Sequence, residues 1–69
     1  MVMKFSLEAA RRNRGLTQSQ VANRIGVSKA TVVNWEKGRT RISYLVLTKL
    51  SNLYGIPLEN LRVPVNNFF

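Results

Sequence analysis

The sequence predicts an all-α fold of five short helices, and three observations carry that reading. Serine or threonine stands at helix-start positions, Ser6, Thr17, Ser28 and Ser43. Glycine follows apolar-periodic segments at Gly15, Gly26 and Gly55, and the apolar residues between these marks recur at helical spacing. With 69 residues the chain makes one small domain, near the lower size at which a hydrophobic core is self-sufficient.

Helix 1 is predicted over about 7–14. Ser6 caps it, Glu8 in its first turn complements the helix dipole, and Gly15 suits the residue beyond its end. Leu7 and Ala10, three apart, face the core, with Phe5 just outside the cap. Helix 2 opens with a capping box, Thr17 and Gln20, each side chain able to accept from the other's backbone N–H. Leu16 and Val21 have the spacing of a hydrophobic staple, and Val21, Ala22 and Ile25 form the buried stripe. The helix ends at Ile25, because Gly26 accepts the left-handed conformation that costs a side chain roughly 1–2 kcal/mol.

Only Val27 and Ser28 separate that glycine from helix 3, which Ser28 caps and which runs from near Lys29 to about Glu36. So short a turn makes the two helices cross steeply and bury what lies between them. Val21, Ile25, Val27, Val32 and Trp35 therefore face inward, and Ala22 is small because a bulkier residue would hold the backbones apart. This is a helix-turn-helix pattern.

The run Lys37-Gly38-Arg39-Thr40-Arg41 is a cation-rich turn, after which Ser43 caps helix 4 over about 44–54. Leu47, Leu50 and Tyr54, with Tyr44 at the start, share helical spacing, while Leu45, Val46 and Leu53 widen the apolar arc beyond what one core needs. Gly55 stops this helix. Pro57 suits the opening of a helix 5 over about 58–62, whose Leu58 and Leu61 close the core. Pro64 stops it in turn, which divides the chain into a domain over 1–62 and an apolar tail over 63–69.

Composition narrows the function. Cysteine and histidine are absent, which excludes disulfides, zinc fingers, Cys or His nucleophiles and imidazole bases. Glu8, Glu36 and Glu59 are the only acids, so no catalytic constellation and no cofactor or metal site is expected. No run approaches the roughly 18 apolar residues of a bilayer span, and the N-terminus lacks a signal-peptide pattern, so a cytoplasmic setting is expected. There is no spare length for a second, ligand-binding domain.

The net charge is +8, and residues 1–41 hold nine cations against two acids. The charge thus sits with the helix-turn-helix, where counterion release favours a polyphosphate partner whatever its base sequence. A basic amphipathic segment would instead suit an anionic membrane, but these cations are spread over several elements. Double-stranded DNA is the expected partner.

Three segments add a resemblance: RGLTQSQVA at 14–22, IGVSKATVVNWEKG at 25–38, and KL with LYGIPLENL at 49–50 and 53–61. Over residues 5–61 the chain resembles the lambda-repressor-like helix-turn-helix domain of phage repressors, Cro proteins and bacterial XRE-type regulators. It departs at Pro57, where a Ser or Thr cap is usual, and at Val33, where a polar residue is common. Neither departure is expected to alter the fold.

The resemblance implies that helix 3 is the recognition helix, with Lys29, Ala30, Val33 and Asn34 facing the bases in the major groove. Asn34 suits adenine N6 and N7, and Ala30 or Val33 a thymine methyl. Lys29 suits guanine or a phosphate equally, and Val33 has packing on a neighbouring helix as its alternative. Phosphate contacts are implied for Gln18, Ser28, Thr31, Lys37, Arg39, Thr40 and Arg41. Arg11 and Glu36 are implied to form a partly buried structural ion pair.

The function so implied is a sequence-specific transcriptional regulator, a repressor of phage or prophage type in a bacterial nucleoid or phage-infected host. It would bind a palindromic operator as a dimer, because one small domain makes few base contacts. Leu45, Leu61, Val63, Val65, Phe68 and Phe69 are the expected dimer surface, with folding of the tail onto its own core as the alternative. The competing function is a non-catalytic interaction module, or an accessory protein that coats DNA without sequence preference.

Overall fold

A computed structural model describes residues 4–63. Its elements in chain order are β1 (Phe5–Ser6), α1 (Leu7–Asn13), α2 (Gln18–Ile25), α3 (Lys29–Lys37), α4 (Tyr44–Tyr54), a 3-10 turn (Leu58–Asn60) and β2 (Leu61–Arg62). All four α-helices lie where the caps and glycines place them.

Each capping oxygen is used. The Ala9 N–H donates to Ser6 Oγ at 3.0 Å, the Thr31 N–H to Ser28 Oγ at 3.2 Å, and the Val46 N–H to Ser43 Oγ at 3.2 Å. At α2 the capping box is reciprocal: the Gln20 N–H donates to Thr17 Oγ1 at 3.1 Å, and the Thr17 N–H to Gln20 Oε1 at 2.8 Å. These bonds satisfy donors that the first helical turn leaves without partners. Gly26 closes α2 at φ +89°, and its N–H and that of Val27 both return to the Ala22 carbonyl, at 2.8 and 3.0 Å. That folded-back end turns the chain within two residues into the Ser28 cap.

The core forms where the helices converge. Leu7 and Ala10 from α1, Val21 and Ala22 from α2, Val32 and Trp35 from α3, and Leu47, Leu50 and Tyr54 from α4 are all buried. Ile25 and Val27 pack partly buried against this cluster. Ala22 is buried in the α2–α3 hairpin, as its small size requires.

Three expectations are corrected. The fifth helix over 58–62 is a single 3-10 turn at Leu58–Asn60, closed by the Asn60 N–H on the Pro57 carbonyl at 2.8 Å. Pro57 supplies no side-chain acceptor to the turn, and one turn gains none of the cooperative bonds that extend a helix. Leu61 is instead extended and enters a two-stranded parallel sheet, paired Phe5 to Leu61 and Ser6 to Arg62. Leu61 is thereby only 7% exposed, so it belongs to this chain's own core and is unavailable as a dimer surface. Tyr44, grouped by spacing with the core face of α4, is 61% exposed at the first position of that helix.

Ile42 is a core residue that helical periodicity does not reveal. It stands outside every helix, between the cationic turn and the Ser43 cap, yet is only 2% exposed. It pins the loop after α3 to the core.

Candidate nucleic-acid interface

The α2–α3 pair presents one side of α3 to solvent. At 100° per residue, buried Val32 and Trp35 define the inner side, and positions 30, 33, 34 and 37 fall on the other. Lys29, Ala30 and Lys37 are exposed, whereas Val33 and Asn34 are half-buried. Of the four expected base-facing residues, Ala30, Val33 and Asn34 thus fall on that outer side, and Lys29 is exposed at the first position of the helix.

Most of the expected phosphate contacts lie in α3, at its cap or in the loop that follows it. Lys37, Arg39, Thr40 and Arg41 are exposed. The loop starts by folding back over α3, with Gly38 at φ +73° and the Arg39 N–H on the Asn34 carbonyl at 2.9 Å. Ser28 and Thr31 lie at the start of α3 with their hydroxyl oxygens 3.0 Å apart, so the cap is a small hydroxyl cluster beside Lys29. Arg12 of α1 and Arg14 at its C-terminal cap have partners of their own. Arg12 pairs with Glu8 at 2.8 Å, and Arg14 Nε donates to the Leu53 carbonyl at 3.3 Å, tying α1 to the end of α4.

Behind α3 lies a network joining three helices. Arg11 Nε donates to Glu36 Oε2 at 2.7 Å, Arg11 Nη2 to Glu36 Oε1 at 3.3 Å, and Arg11 Nη1 to the Leu16 carbonyl at 2.9 Å. The two side chains are 9% and 4% exposed. Such a forked contact in a water-poor setting is stronger than a surface pair, provided every polar atom is partnered. The hydrogen bond to Glu36 holds the Arg11 guanidinium even more firmly cationic than usual, against the opposing effect of burial. Nearby Tyr54 is pushed up to about 12, first by burial and then by the Glu36 charge, with Arg11 opposing.

Gln18, the expected phosphate contact that opens α2, is half-buried and has a partner within the chain. Its Nε2 donates to Glu36 Oε1 at 3.1 Å, so in the free chain the amide serves the ion pair. Nothing in the sequence links positions 18 and 36. Only the helix crossing brings the first residue of α2 to the last turn of α3.

The expected dimer surface divides. Leu45 is 65% exposed beside Tyr44, Val63 is partly buried against the core, and Val65, Phe68 and Phe69 lie outside the described residues.

The helix-turn-helix family model matches residues 7–61, from the first residue of α1 to the first of β2. The chain belongs to the helix-turn-helix family. The cryptic phage CTXphi transcriptional repressor RstR of Vibrio cholerae is 42% identical over 48 residues, 70% of this chain. The chain spans only 43% of that repressor's length. An uncharacterised helix-turn-helix-type transcriptional regulator of Methanocaldococcus jannaschii is 32% identical over 61 residues, which are 88% of this chain and 92% of that protein. Another such regulator, from Methanothermobacter thermautotrophicus, is 32% identical over 53 residues, 77% of each chain. No solved structure matches this chain.

Proposed function

We propose that this chain is a sequence-specific regulator of transcription, a repressor that binds a palindromic operator as a dimer with α3 in the major groove. The observation that carries the reading is the division of α3 into a buried side and an accessible side that presents Lys29, Ala30, Val33 and Asn34, with Lys37, Arg39 and Arg41 beside it. A rigid helix with mixed base-reading chemistry on one face, bordered by cations, matches what the major groove requires. The relatives support the biological role: one is named a phage transcriptional repressor and others transcriptional regulators.

In this reading Asn34 reads adenine, Ala30 and Val33 meet a thymine methyl, and Lys29 serves guanine or an adjacent phosphate. Ser28, Thr31, Lys37, Arg39, Thr40 and Arg41 hold the backbone and set register. Dimerisation uses exposed Leu45 and Tyr44, whose apolar surface has no cover within the described chain, and residues 63–69 contribute to it. The DNA-binding unit is residues 1–62, acting in the cytoplasm.

Selection of bound duplexes from a random pool tests the reading. The expected product is a bipartite palindrome with half-sites about one helical turn, ~34 Å, apart. Binding with a steep salt dependence but no selected sequence would overturn it in favour of a non-specific accessory role.

A further inference from the structure

The α2–α3 hairpin is closed at both ends. At one end lies the short turn through Gly26 and Ser28, and at the other the Gln18 amide reaches Glu36 in the last turn of α3 at 3.1 Å. Glu36 sits at the boundary of α3: by helical geometry it lies within about 40° of buried Val32 on one side and about 60° of Val33 on the other. Its carboxylate is therefore a lever on the rotation of α3 about its own axis. Two of its bonds come from Arg11 on α1, which also holds the Leu16 carbonyl just before the α2 cap. The third, from Gln18, is the only one of the three that comes from α2 itself.

We propose that Gln18 is a positioning residue, which acts through Glu36 to fix the rotation of α3 and hence the direction in which Lys29, Val33 and Asn34 face. This rests on the DNA-binding reading above and assigns Gln18 a task distinct from phosphate contact. The amide has a second N–H free of Glu36, so the two tasks are chemically compatible, but they fail differently. Removing a phosphate ligand weakens binding to every sequence alike, whereas a recognition helix free to rotate loses discrimination between bases.

Gln18→Ala and Gln18→Glu separate the possibilities. In melts of the free protein at neutral pH, Gln18→Ala is expected to lower the midpoint by about 5 °C, the scale of one net hydrogen bond in a domain this size. Gln18→Glu is expected to lower it further, because two carboxylates then face each other. On DNA, Gln18→Ala should reduce the ratio of affinities for selected and mismatched duplexes by about tenfold, the worth of one hydrogen bond to a charged group. Unchanged melts with a uniform loss of affinity would overturn the proposal and leave Gln18 a phosphate contact. Lowered melts with an unchanged ratio would also overturn it, leaving a purely structural bond. A wild-type chain that selects no sequence would sink the preceding reading, and this proposal with it for base choice, while the melts still decide whether Gln18 holds Glu36.

Discussion

Arg11 and Glu36, 25 positions apart in sequence, meet at 2.7 Å with their side chains almost wholly out of solvent. Removing either partner strands the other charge in the interior. Arg11→Ala and Glu36→Ala are each expected to cost about 3–5 kcal/mol in urea or thermal melts. The double replacement Arg11→Met with Glu36→Leu should cost less than either, because no charge is then left buried, though the Leu16 carbonyl and Gln18 amide lose their partner. Unchanged midpoints in the single variants would refute a stabilising role for the pair.

Tyr54 makes the fold sensitive to alkali. Its folded pKa of about 12 exceeds the ordinary value of 10.0, so the native state holds the phenolic proton more tightly than the unfolded chain does. That contribution, on the order of 2 kcal/mol, is fully present below the unfolded pKa and is lost as pH rises through the folded one. Urea midpoints should therefore fall between about pH 10 and 12, and fall less steeply in Tyr54→Phe. Parallel profiles for the two proteins would count against this assignment.

Base contacts and backbone contacts should separate on DNA. Asn34→Ala is expected to relax the preference at one position of each half-site, at about 1–3 kcal/mol per half-site. Lys37→Ala or Arg39→Ala should weaken all duplexes alike and reduce the salt slope by about one for each phosphate left unneutralised. The opposite pattern, with Asn34→Ala uniform and Arg39→Ala selective, would reverse the roles given to these residues.

At Gly26 a methyl group meets open space, with no atom within 4 Å, but the backbone stands at φ +89°. Gly26→Ala should thus cost about 1–2 kcal/mol from torsion alone. A chemical melt measures it directly. A loss well above that range would mean that the turn between α2 and α3 had shifted.

Exposed Leu45 gives the proposed dimer a test that spares the fold. Leu45→Glu is expected to leave the melt nearly unchanged and to convert operator-bound dimers to weaker, singly occupied complexes in band-shift titrations. Sedimentation of the full chain against one ending at Val63 shows what the tail adds. Identical monomeric behaviour of both would remove residues 64–69 from dimerisation.

The helices are legible in the sequence because their signals are local. Ser6, Thr17, Ser28 and Ser43 each cap within three residues, and Gly26 announces its turn by what only glycine does cheaply. The accessible face of α3 follows from Val32 and Trp35 being apolar three apart. What the sequence hides depends on partners distant along the chain. Leu61 reads as the end of a helix because its spacing from Leu58 is helical, and only Phe5 at the other end of the domain makes it a strand. Ile42 is a lone apolar residue in a cationic loop and has no period to betray it. Gln18 has a polar side chain at a helix start, where a phosphate contact is the natural reading, and its bond to Glu36 exists only once α2 and α3 have crossed.

The pairing of Phe5 with Leu61 also bears on the order in which the molecule assembles. Two parallel strands need a connection between them, and here that connection is everything from α1 to the 3-10 turn. During synthesis the α2–α3 hairpin can gather through near neighbours, but this ribbon must wait until residue 62 has left the ribosome. It works as a closing latch: a chain stopped short of Leu61 would hold α3 yet leave Phe5 and the start of α1 unfastened.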